Sequence, residues 1–148
     1  MAKHPARPEL AQARERGLHN IGEASAATGV SAKMIRQYES AGIIPKPERT
    51  FAGYRLYGDA DLDRLRFIKT SRLLGFPMAR IEQLLTLLDD SHRTGAQVKQ
   101  LAQAHAADLA ARIGQMQAMH DTLMRLADRC QGDSGRACPI LEGLAWKQ

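Results

Sequence analysis

The sequence is short of cysteine, aromatic rings and long apolar runs, and each shortage removes a class of protein. Cys130 and Cys138 are its only two cysteines. Two thiols are too few for the four-ligand cage of a structural zinc, and the loop between them holds no His or further Cys to complete one. Aromatics make up 5% of the chain, strand signals are sparse, and Ala and Leu are abundant, so a mainly helical protein is expected. No apolar run approaches the length needed to span a membrane. The first twenty residues are polar and basic and lack the apolar core of a secretory leader, so the expected location is cytoplasmic. There a cysteine pair is more often metal-binding or redox-active than structural. A catalytic constellation is also missing. Asp89 and Asp90 are adjacent rather than facing, and Ser134 has no base nearby, so solvated loops explain all three and no enzyme is expected.

What is present begins with charge. A chain of 148 residues can hold one or two small domains with a modest core. Its net charge of +5 and pI near 9.6 point to an anionic partner, nucleic acid first. Residues 1–18 show no sustained apolar face and read as a disordered extension with a helical tendency over 9–16. Their Arg7, Arg14 and Arg16 can attract phosphate weakly, although an inert tail is the simpler reading.

From residue 20 the pattern changes. Residues 21–28 read as a short helix closed by Gly29, since a glycine past a helix end relieves the left-handed cap. Ser31 is a good N-cap for a second helix over 32–41, which Gly42 ends. Two such helices on a tight turn form a helix-turn-helix, whose second helix can enter a major groove. Ile35 packs inward in this reading, and Lys33, Arg36 and Tyr38 stand free for phosphates or bases. Pro45 and Pro47 stop further helix. Arg49 through Tyr57 then suggests a hairpin wing turning at Gly53. Interleaved Arg and Tyr suit a phosphate backbone, guanidinium by bidentate contact and phenol by a hydroxyl on a flat apolar body. Simple packing of the tyrosines is the competing explanation, and for Tyr57 it weighs equally.

Asp59 is expected to cap a helix over 60–74, and another starts at Pro77 or Met78, their leucines and isoleucines spaced as ordinary core. The longest element is expected over 96–129, on the order of 50 Å of helix. A seam runs through Ala102, Ala106, Leu109, Ile113, Met116, His120, Leu123 and Ala127, spaced alternately four and three. So long a stripe cannot be buried within so small a chain, and a partner helix from a second copy is the economical answer. Met116 and Met119 read as core filler, and His105 and His120 as solvated or seam positions rather than ligands.

After this helix come Cys130, a polar loop with two glycines, Cys138 and Pro139. A monovalent d10 ion such as Cu(I), Ag(I) or Au(I) is content with two thiolates, and soft thiolates select such ions. The complex would carry a charge of about minus one, a burden if buried. Pro139 suits the first turn of a short helix, whose amino end would offset part of that charge. A redox thiol pair and two inert cysteines remain alternative readings of these residues.

Together these stretches resemble a known family. Residues 30–39, then Gly42-Ile43-Ile44, then Gly53-Tyr54-Arg55-Leu56-Tyr57, look like the DNA-binding domain of MerR transcriptional regulators. The long helix followed by Cys130, seven residues, Cys138 and Pro139-Ile140 resembles the copper-efflux subgroup that senses Cu(I), Ag(I) or Au(I). The resemblance spans approximately residues 20 to 144. It implies a winged helix-turn-helix domain over 19–90, a dimerisation helix over 91–129 forming an antiparallel coiled coil, and a metal-binding loop with a short helix over 130–148. It implies a homodimer on double-stranded promoter DNA, reaching RNA polymerase indirectly by distorting an overlong promoter spacer when one ion binds per protomer. Carried over by motif, Cys130 and Cys138 are the metal ligands. Arg36, Tyr38, Arg49, Tyr54 and Arg55, with Lys33 less firmly placed, are the DNA contacts. Relatives that sense divalent ions carry an additional cysteine near the start of the long helix. Here Gly95, or Thr94 or Ala96 on a shift of one residue, stands there, and none supplies a thiolate.

Overall fold

The computed structural model describes residues 7–130, 132 and 135–145. Residues 1–6 of the expected extension, and 131, 133, 134 and 146–148 of the expected C-terminal segment, lie outside the described residues, Ser134 among them. The chain divides into two compact units, Met1–Arg93 and Thr94–Gln148.

The first unit is built on a helix-turn-helix. Helix α2 (Ile21–Thr28) opens at Asn20, whose side chain accepts the Glu23 amide at 2.8 Å, and closes at Gly29 with φ +71°. Helix α3 (Ala32–Ser40) opens at Ser31, whose hydroxyl accepts the Met34 amide at 3.2 Å. Such caps are each worth about 1 kcal/mol. Gly29 is favoured by its left-handed φ, and the Lys69 ammonium lies over it, so an added Cβ would also have to push that flexible side chain aside. Strands β1 (Glu48–Arg49) and β2 (Arg55–Leu56) pair antiparallel, Glu48 opposite Leu56 and Arg49 opposite Arg55, and the wing turns through Gly53 at φ +91°.

Helix α4 (Asp59–Leu73) begins one residue earlier than the sequence suggests. Asp59 does not cap it. Gly58 holds the N-cap position, and the Asp61 carboxylate accepts its amide at 3.0 Å, a bond that Asp59, already inside the first turn, does not make. Helix α5 (Met78–Asp89) follows Pro77. The core joins Ala24, Ile35, Tyr38, Ile44, Tyr57, Leu65, Ile68 and Ile81 from α2, α3, the wing and α4–α5. Fully burying a side chain such as Ile35 contributes roughly 1.5–3 kcal/mol.

Residues 8–18 are not the disordered extension that their lack of an apolar stripe suggests. Helix α1 (Leu10–Glu15) buries Ala13 completely. Backbone bonds hold its flanks. The Phe51 amide donates to Pro8 O at 3.1 Å, and His19 and Tyr57 exchange two bonds of 2.8 Å as an antiparallel bridge.

In the second unit, helix α6 (Gly95–Arg129) is 35 residues long. Thr94 and Gln97 cap it reciprocally, the Thr94 hydroxyl accepting the Gln97 amide and Gln97 Oε1 accepting the Thr94 amide at 2.8 Å. Ile113, Met116, Met119, Leu123 and Met124 are all exposed along it, Ile113 by 66%. His105, expected to be solvated or on the seam, is buried, whereas His120 is exposed beside Asp121. Helix α7 (Pro139–Leu144) packs against α6 so closely that a Cβ at Gly143 would lie 2.7 Å from Leu126 Cδ2. No helix among the described residues is long and apolar enough to cross a membrane.

Candidate nucleic-acid interface and metal loop

On α3 the helical period separates two faces. Ile35 and Tyr38, three residues apart, turn inward, and Lys33 and Arg36 point outward and are exposed. The expectation that Tyr38 stands free is therefore corrected. Its ring is 4% exposed and its hydroxyl accepts a hydrogen bond from Arg72 Nη1 at 3.0 Å. Tyr38 is a wall of the core whose polar tip positions Arg72.

The wing stands beside this helix and is tied to it. Arg55 Nε donates to Glu39 Oε2 at 2.7 Å, both side chains being mostly buried, so the ion pair links β2 to α3. Arg49 Nη1 donates to Gly53 O at 2.9 Å and braces the wing turn. Both arginines thus hold the wing's shape with one N–H and keep others, since guanidinium carries five donors. Tyr54 is exposed and so is Phe51, which is 82% accessible at the turn. Tyr57 is fully buried, so of its two readings the structure takes packing. Burial, followed by the nearby Glu39 charge, pushes its phenol up to about 12.

Two cations went unnoticed in the sequence, Lys69 and Arg72. They lie three apart on α4 and line an open groove with Gly29, Ser31 and Met34 at the start of α3. Their helical spacing is a signal that the sequence does carry; the pairing of Arg72 with Tyr38, 34 positions away, is not. At the far end of this unit Arg64 Nη1 donates to Asp89 Oδ1 at 2.8 Å and holds that carboxyl below the usual carboxylate range. Arg64 Nε donates to Ile43 O, so one side chain joins α4, the segment after α3 and the end of α5.

The cysteines occupy the two ends of one loop. Cys130 is the C-cap of α6, its amide donating to Ala127 O at 3.0 Å, and Cys138 is the N-cap of α7, its carbonyl accepting the Glu142 amide at 3.0 Å. Both are half-buried free thiols, and the Cys138 side chain makes no capping hydrogen bond. Gly132, at φ +66°, lets the loop turn where a side chain would be strained. Among the described residues no group of three or more His, Cys, Asp and Glu side chains gathers anywhere.

Comparison with known proteins bears on both regions. A family profile described as MerR HTH family regulatory protein matches residues 19–88, and one described as MerR, DNA binding matches residues 62–126. The HTH-type transcriptional regulator HmrR of Sinorhizobium medicae is 48% identical over 126 residues, covering 85% of this chain and 86% of the relative. The regulator CueR of Salmonella typhimurium is 34% identical over 126 residues, covering 85% and 91%. Among solved structures, the transcription regulator PbrR691 of Ralstonia metallidurans, in complex with lead(II), superposes with a TM-score of 0.75 at 33% identity, over 86% of this chain and 99% of that one.

Proposed function

We propose that this chain, which belongs to the MerR family of transcription regulators, answers to a monovalent coinage-metal ion, Cu(I), Ag(I) or Au(I), held by Cys130 and Cys138. The protein is a metal-responsive regulator, not an enzyme, and binds promoter DNA as a homodimer. In our reading, α3 enters the groove with Lys33 and Arg36 on its outer face, and Tyr54, Arg49 and Arg55 meet the phosphate backbone from the wing. Tyr38 contributes by holding Arg72. The exposed apolar stripe of α6 meets its counterpart in a second copy as an antiparallel coiled coil. One bound ion per protomer supplies a link between the end of α6 and the start of α7. The dimer then bends and underwinds the promoter spacer so that polymerase can read both of its elements.

The observation that carries the choice of ion is the pair of thiols at the α6–α7 junction, with no cluster of three or more possible ligands among the described residues. The lead(II)-bound relative favours a second reading, a divalent inducer. Against it stands the start of α6, where Thr94, Gly95 and Ala96 offer no further thiolate. Transcription from a metal-efflux promoter, titrated with Cu(I), Ag(I), Au(I), Zn(II), Pb(II) and Hg(II), decides between them. Induction is expected from the monovalent ions at one per protomer. In Cys130→Ser and Cys138→Ser induction is expected to vanish while DNA binding persists. A response confined to the divalent ions overturns the choice of ion, and full Cu(I) induction in either variant overturns the ligands.

A further inference from the structure

The profile match begins at residue 19, so the arm before it is an addition to the part of the chain that the family describes. That arm touches the wing at two places, and the residue directly after it makes a third contact. Arg16 Nη1 pairs with Glu48 on β1 at 3.4 Å, Pro8 O accepts the Phe51 amide at the turn, and His19 bridges Tyr57 just after β2. Its charges are sorted by this docking. Arg14 is taken by Glu23 at 2.9 Å and Arg16 by Glu48, so neither points its full charge at a distant phosphate. Arg7 differs. It is exposed and sits one residue before Pro8, which places it next to the wing turn that presents Phe51 and Tyr54.

We propose that the N-terminal arm is a second DNA-contacting element, fixed to the wing so that Arg7 meets a backbone phosphate beyond those reached by the wing. The partner is the sugar-phosphate backbone of duplex DNA. The contact adds affinity without sequence preference, because guanidinium on phosphate reads charge rather than base edges. The inference rests on the wing facing DNA.

The test uses the full-length homodimer and a promoter duplex, with association constants measured from about 50 to about 400 mM KCl for wild type, Arg7→Ala, Arg7→Lys and Tyr54→Ala. Each phosphate contact contributes about 0.9 to the log–log salt slope, and a dimer has two arms, so Arg7→Ala is expected to flatten it by about 1.8. Arg7→Lys keeps the slope, because it keeps the charge. Arg7 is exposed, so equal unfolding midpoints accompany these changes. An unchanged slope in Arg7→Ala beside weakened binding in Tyr54→Ala overturns the arm and leaves the wing standing. If neither variant alters binding, the wing does not face DNA and both readings fall.

Discussion

Replacing Tyr38 by Phe separates a core residue from a DNA contact. The change removes one hydroxyl, which accepts from Arg72 Nη1 at 3.0 Å, and leaves a ring that is 4% exposed. A protein hydrogen bond has a net worth of about 0.5–1.5 kcal/mol, up to about 3 with a charged partner. Arg72 is itself exposed and regains water when released, so a loss of about 1 kcal/mol is expected. With a urea slope of about 1–3 kcal/mol/M, the unfolding midpoint falls by about 0.3–1 M at fixed protomer concentration. Tyr38→Ala also empties the ring's place in the core, at about 3–5 kcal/mol. Urea unfolding and fluorescence anisotropy on promoter DNA, run on the same samples, give both readouts. An unmoved midpoint in Tyr38→Phe, together with a tenfold loss of DNA affinity, would refute the assignment and return the hydroxyl to the DNA.

Other consequences are as direct. Ile113→Glu places a charge on the exposed stripe of α6 in both copies. At about 1.5–3 kcal/mol per buried side chain, the dimer dissociation constant rises at least about 100-fold, which sedimentation equilibrium measures; an unchanged constant would take the seam away from Ile113. The buried Tyr57 hydroxyl finds no hydrogen-bond partner among the described residues, so Tyr57→Phe is expected to stabilise the fold by about 1 kcal/mol in urea melts. Its phenol is raised to about 12 from an ordinary 10.0. That contribution is complete below the unfolded value and lost as pH climbs through the folded one. Tyr57→Phe should therefore flatten the alkaline limb of the stability curve between those two values, and an identical limb would deny the burial.

Much of this was legible because it is local. Asn20, Gly29, Ser31 and Gly42 punctuate the two short helices by side-chain caps and left-handed glycines, which depend on a few neighbouring residues. The long helix announces itself by its period. Tyr38 was misjudged although its spacing from Ile35 already put it on the inner face; a phenol in a basic segment invites a polar reading, and Arg72 is too distant in sequence to counter it. The arm escaped for another reason. A small buried Ala13 and main-chain bonds at Pro8 and His19 hold it, and neither leaves a hydrophobic pattern to read. The posts of the two thiols were legible as well, since the long helix was expected to end at Arg129 and Pro139 to open a short helix, and α6 and α7 do so with Cys130 and Cys138 as their caps.

Gly143 has a bearing on the seat of α7 out of proportion to its size. A methyl there would lie 2.7 Å from Leu126 Cδ2, so the Leu126 side chain or α7 itself would have to shift to admit it. Because Cys138 is the N-cap of α7, any shift of the small helix carries that residue with it. In the two-thiolate reading proposed above, a substitution at Gly143 would act on the pair without touching either sulfur, by swapping the spacer in a joint rather than the jaws of the vice.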